Sequence, residues 1–167
     1  MRINNYKLIT INLIAYILFI LPISKLDLFK ENYSTLSLDT RGYFYLLFLG
    51  IVIGLILYYE TLKLNRRYSI VILISMIIGV IIPHHVPYNI QGNLHLLFAY
   101  SGSFLVSLIS FINIYRFNSI RNVFIFGVFL TFLTILKYNM VTCISEIVLM
   151  SVIMFSNMCA YIKISRY

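Results

Sequence analysis

The chain has 167 residues, 61% of them hydrophobic and only 11% charged, and its formal net charge is +8. A soluble domain wets its surface with roughly 25% charged residues, so a mean hydropathy of +0.94 excludes an ordinary water-exposed fold and makes lipid the fitting solvent. The basic residues punctuate apolar runs and form no face or tail with interleaved aromatics, which argues against a nucleic-acid partner.

In a bilayer the backbone must satisfy its own hydrogen bonds, so an apolar run of about 20 residues reads as a spanning helix. Six such segments follow in order, over residues 8–24, 43–62, 68–82, 94–115, 123–136 and 141–162. The first follows Arg2 and Lys7 and resembles a signal peptide. Its run is long, however, and Leu21-Pro22-Ile23-Ser24-Lys25 offers no small-x-small cleavage site, so it is read as a helix. A polar connector, Lys25 to Arg41, leads to the second segment. The third is the shortest and ends at Pro83, and the fourth is closed by Arg116. The fifth is short by itself and needs Arg121 and Lys137 to reach the interfaces. Only a few residues around Lys137 to Met140 separate it from the sixth, so the pair is either two crossings or one broken, re-entrant element. Together they hold too many apolar residues for one straight span, which favours two crossings. The expectation is therefore an all-α integral membrane protein, a bundle of six transmembrane helices forming one domain over residues 1–167. No separate soluble domain, linker or internal repeat is visible.

Cytoplasmic loops carry the excess of Lys and Arg. With the amino terminus inside, the inner side holds Arg2, Lys7, Lys63, Arg66, Arg67, Arg116, Arg121, Lys163 and Arg166, and the outer side holds only Lys25, Lys30, Arg41 and Lys137. Both termini are accordingly expected in the cytoplasm. Tyr43, Tyr45, Tyr88 and Tyr138 would mark the outer interface, and Tyr58, Tyr59, Tyr68, Tyr115 and Tyr161 the inner one.

Helices in lipid associate where small residues allow close approach. Gly50 and Gly54 form a GxxxG in segment two; Ala99, Ser103 and Ser107 recur every fourth residue in segment four; Gly127, Thr131 and Thr134 lie in segment five. These are most simply the inward faces of a single bundle, with a homodimer seam through GxxxG as the alternative. Cys143 and Cys159 fall roughly 24 Å apart on one helix, at about 1.5 Å per residue, too far to bridge.

Ionisable groups inside a membrane are expensive and deserve a functional hypothesis. Glu146 enters segment six from its outer end and shares a face with Asn157. His95 opens segment four on the stripe of Ala99, Ser103 and Ser107, and His84 and His85 lie just outside segment three. These four, with Asp39 and Arg41 beside them, are expected to converge on the outer side. They could serve as a Zn²⁺ site, as an acid–base pair acting on a lipid headgroup, or as a proton relay or cation receptor. The bland alternatives are polar loop histidines, a His95 that only hydrogen-bonds within the bundle, and a Glu146–Lys137 ion pair. No HExxH or Cys/His zinc signature is present, and no cofactor is evident. Walker A, GxGxxG, GxSxG and Arg-rich voltage-sensing motifs are also missing. Asn32-Tyr33-Ser34 is a short glycosylation sequon in an outer loop. Abundant Ile, Asn, Lys, Tyr and Phe without Trp point to an AT-rich bacterial genome.

The stretch Asn93-Leu94-His95-Leu96-Leu97-Phe98-Ala99-Tyr100-Ser101-Gly102-Ser103-Phe104, following Pro83 and Pro87, resembles the fourth-helix region of small six-helix membrane proteins of the Frag1/DRAM/Sfk1-related group and their bacterial relatives. The resemblance implies lipid handling or membrane organisation and carries over no catalytic set. The leading expectation is thus a bacterial cytoplasmic-membrane protein with a lipid- or headgroup-handling site opening outward at His84, His85, His95 and Glu146. The second is a non-enzymatic accessory subunit or immunity protein acting through a membrane protein partner. A small transporter or channel ranks third, because Glu146 reads as the lone ionisable group well inside a span.

Overall fold

The computed structural model describes residues 5–83 and 90–165, and His84 and His85 lie outside them. Six α-helices carry the fold: α1 Asn5–Ile20, α2 Thr40–Leu64, α3 Ser69–Ile81, α4 Ile90–Ile114, α5 Asn118–Tyr138 and α6 Cys143–Ser165. No strand occurs among the described residues. Five of the helices are long and apolar enough to cross a membrane. The exception is α3, whose 13 residues rise only about 20 Å against a hydrocarbon core of about 30 Å.

Local chemistry sets the helix ends. The residue before a proline is biased away from α geometry, and α1 gives way before Pro22 to a 3-10 turn, Leu21–Lys25. The α1–α2 connector then forms a second 3-10 turn, Tyr33–Leu38, capped where the Asn32 side chain accepts from the Thr35 amide. Asp39 caps α2, its carboxylate accepting from the Gly42 amide. Asn139 adopts a left-handed conformation, φ 54°, closing α5 so that the chain reverses within four residues into α6. The fifth and sixth segments are therefore two separate helices packed on each other. Extending α5 to Asn118–Tyr138 brings Arg121 and Lys137 inside it and supplies the length its apolar run lacks.

The ends alternate. At one end the start of α2 meets the finish of α3 through Tyr43, whose hydroxyl donates to the Ile81 carbonyl at 2.7 Å, and Phe29 of the connector packs on Tyr138. At the other end Lys63 donates to Ser165 and Lys163 sits over the Phe117 ring. We call these the connector end and the far end. α6 touches α1, α2, α4 and α5, while α2 touches α1, α3 and α6, so these two helices form the centre. Outward faces carry exposed Phe44, Phe48, Leu55, Phe126, Phe129 and Phe132, the surface expected of helices bathed in lipid.

The glycines mark close approaches. A Cβ on Gly50 would stand 2.7 Å from a Val80 methyl, and one on Gly54 3.1 Å from Leu73, so the GxxxG faces α3 within the chain. A Cβ on Gly102 would stand 2.7 Å from the Ser75 carbonyl. The expected stripe of Ala99, Ser103 and Ser107 coincides only in part with the buried face of α4: Ala99 and Ser103 line an internal cavity, but none of the three is buried. Ser103 is exposed and Ser107 half-buried, whereas Gly92, His95, Gly102, Val106, Ile109, Ser110 and Asn113 are buried. The reason is geometric: each four-residue step overshoots a turn by about 40°, so three such steps carry Ser107 about 120° from His95.

Candidate functional site

The connector is tied to α6 through backbone groups. The first amides of a helix have no partner within it, and here the Cys143 amide donates to the Glu31 carbonyl at 2.6 Å and the Ile144 amide to that of Leu28 at 3.2 Å. Thr142 and Ser145 cap each other's amides at the same helix start. Glu146, one residue further, accepts from the Tyr33 amide at 2.6 Å. A carboxylate in the first turn is also favoured by the helix dipole.

Tyr33 is the keystone of the connector. Its ring stacks on Phe19 at 4.6 Å between centroids, and its hydroxyl donates to the Phe19 carbonyl at 2.6 Å. Burial, with Cys143 and Glu146 nearby, pushes that hydroxyl well above the ordinary phenol range. The next residue, Ser34, reaches His95: the imidazole Nε2 lies 2.9 Å from its hydroxyl. On the other side of the ring, Nδ1 lies 2.5 Å from the Ile82 carbonyl. A carbonyl only accepts, so Nδ1 carries a proton and Nε2 faces the one partner that can donate or accept.

His95 and Glu146 thus contact consecutive residues of one turn and line the same cavity. That cavity measures about 150 Å³. Ser34, Ser37, His95 and Glu146 occupy its connector end, and Leu46, Leu49, Ile53, Val106 and Ile153 form walls deeper in the bundle. Asp39 caps α2 at the surface, and Arg41 is exposed. Lys137 lies over the Tyr138 ring, and among the described residues no ion pair joins it to Glu146. Nor do three His, Cys, Asp or Glu side chains gather to hold a metal ion among the described residues; His84 and His85, half of the expected outer group, lie outside them.

A second polar cluster escaped the sequence reading. Glu60 of α2 is completely buried and accepts from the Asn12 amide of α1 at 2.9 Å. Beside it, Asn113 of α4 donates to Thr61 at 3.2 Å and to Asn157 of α6 at 3.3 Å, and Asn157 donates to Ser110 at 2.8 Å. Glu146 is therefore not alone among ionisable groups inside the bundle. The sequence placed Glu60 two residues from the end of its segment, where a carboxylate reaches water. Its spacing said otherwise, since it follows Leu46 and Ile53 at steps of seven, on the buried face of α2.

Comparison of the chain with protein-family models, with curated proteins and with solved structures finds no match.

Proposed function

We propose that this is a bacterial cytoplasmic-membrane protein that holds a slender amphiphile, such as one acyl chain with its headgroup, in the cavity at the connector end. The carrying observation is the division of that cavity, polar at one end and mostly apolar along its depth, where Ser75 and Ser103 are interspersed among aliphatic side chains. At about 150 Å³ it is smaller than a drug-sized pocket of about 300–1,000 Å³, so it admits a single apolar segment and not a two-chain lipid whole. Glu146 offers an acceptor to a hydroxyl or cationic head, and His95, oriented by Ile82, offers an imidazole nitrogen next to Ser34. The short likeness of Asn93–Phe104 to lipid-associated six-helix proteins supports the same reading.

In this reading α3 completes six crossings, aided by the flanking turn at Arg66–Tyr68, and the connector end faces outward. The basic residues Lys63, Arg66, Arg67, Arg116, Arg121 and Lys163 belong to the far end, as a cytoplasmic face requires. The cavity then opens toward the outer leaflet.

Native mass spectrometry of protein released from gentle detergent tests the site. The parent is expected to retain an adduct with the mass of a lipid or single-chain amphiphile. Ala99→Phe, which fills the cavity, and Glu146→Gln, which keeps an acceptor for the Tyr33 amide, are expected to lose most of it while melting within a few degrees of the parent. An adduct-free parent, or equal retention in both folded variants, would overturn the proposal.

A further inference from the structure

The far end of the bundle presents a chemical inconsistency in its buried polar cluster. Asn12 uses its amide nitrogen twice, donating to the Leu8 carbonyl at 3.1 Å and to Glu60 Oε1 at 2.9 Å. Its own Oδ1 has no partner, and neither has Glu60 Oε2. Both atoms are buried in residues that are 6% and 0% exposed. If Glu60 were ionised, both would be acceptors, and the cluster would hold a full charge with two starved oxygens. Nearby, Asn113 Oδ1 and Ser156 Oγ are unpartnered as well. A buried charge without a countercharge is strongly unfavourable, and each unsatisfied buried acceptor adds to that penalty.

Among the described residues no compensating cation faces the carboxyl. From its own helix, Lys63 is directed away, to Ser165 at 2.9 Å and over the Tyr161 ring at 4.9 Å, while Tyr59 is joined to Tyr161. From α6, Cys159 and Tyr161 lie within electrostatic range of Glu60. From α1 the contribution is the neutral Asn12, and from α4 the neutral Asn113 reaches the adjoining Thr61. Among the described residues no Lys, Arg or His forms an ion pair with Glu60.

We propose that the Asn12–Glu60 pair is a proton-binding site, with Glu60 held as the neutral carboxylic acid. An O–H bond at Oε2 turns one orphaned acceptor into a donor and gives Asn12 Oδ1 the partner it lacks. The amide nitrogen of Asn12 already serves the carbonyl oxygen of the acid at Oε1. One proton from solvent, with no other reactant, thus removes the charge and satisfies two buried oxygens. The site is also placed to report its state. Asn12 lies in the centre of the α1 packing stripe, Leu8, Asn12, Ala15 and Phe19, so loss of the proton would load a bare charge onto the seam between α1, α2 and α6. Asn12 further lines a groove of about 370 Å³ between α1 and α6, beside Tyr16, Ser151 and Met158.

The protonation state is directly observable. Glu31, Glu60 and Glu146 are the glutamates of this chain, so protein labelled with ¹³C at glutamate Cδ and carrying Glu31→Gln and Glu146→Gln reports Glu60 alone, with that residue unaltered. At neutral pH the expected signal is that of a carboxylic acid, and a carboxylate signal would overturn the proposal. Infrared difference spectra, parent minus Glu60→Gln, provide a second reading. They should show an acid carbonyl band that moves to higher frequency in Asn12→Leu, where the hydrogen bond to Oε1 is gone. Carboxylate bands that respond to exchanging sodium for choline would instead identify a sodium site and overturn the proton.

Discussion

At the scale of single residues, stability concentrates where a side chain supplies what the backbone lacks. The Phe19 carbonyl lies in the last turn of α1 and has no helical amide to meet; the Tyr33 hydroxyl serves it. Tyr33→Phe keeps the stacked ring and removes only that donor, so it is expected to cost about 1–3 kcal/mol, read as a lower melting temperature in detergent. The penalty should also depend on pH. A phenol whose folded value is raised contributes stability that is fully present below the ordinary tyrosine value and is lost as pH rises through the folded one. The gap between parent and Tyr33→Phe should therefore narrow in alkaline buffer, and a gap that widens there would contradict the burial of this hydroxyl. The sequence made His95 and Glu146 conspicuous as rare polar groups in apolar runs. It gave no sign of Tyr33, because a tyrosine in a polar connector looks like an interfacial anchor until its stacking partner is known.

At the scale of helices, packing follows the 3.6-residue period and not the four-residue spacing that small residues display on paper. Gly102 and Ser103 are neighbours in sequence and opposites in environment: the first faces the Ser75 carbonyl, the second is exposed. Gly102→Leu is expected to force α3 and α4 apart at an overpacking cost of about 1–3 kcal/mol, while Ser103→Leu should melt close to the parent. Equal destabilisation of the two would mean that α4 is rotated from the orientation described. The elements themselves were legible because spanning helices are written as long apolar runs. Their boundaries were less so. Asn118 and Ser119 join α5, and Ile90 to Asn93 join α4, since a helix continues through polar residues wherever its ends reach the interface. Glu60 was hidden for the complementary reason: α2 runs on to Leu64, which moves a residue near the expected end of the segment to a full turn inside it.

At the scale of the whole molecule, the alternation of ends makes sidedness a single binary property. If all six helices cross, as proposed, every connector-end residue shares one side of the membrane and every far-end residue the other. A membrane-impermeant thiol reagent applied to intact cells is expected to label a cysteine at Lys30, whose side chain is 84% exposed, and not one at Asn65, in a background where Cys143 and Cys159 are replaced by serine or alanine. Labelling at Asn65 alone would invert the protein and turn the proposed amphiphile site toward the cytoplasm. The count of Lys and Arg yields an expectation of sidedness because insertion responds to charge. The depth and shape of a cavity are not, since they depend on how helices distant in sequence are rotated against one another.

The bond between the Tyr33 amide and Glu146 joins residues 113 positions apart, and the amides at the start of α6 find their partners in the same early connector. Translation delivers these partners well apart in time. The connector emerges before α2, yet the groups that anchor it arrive only with α6, so its docking waits for four more helices. α6 therefore acts as a latch: until it is in place, the connector lacks the groups that hold it beside the cavity.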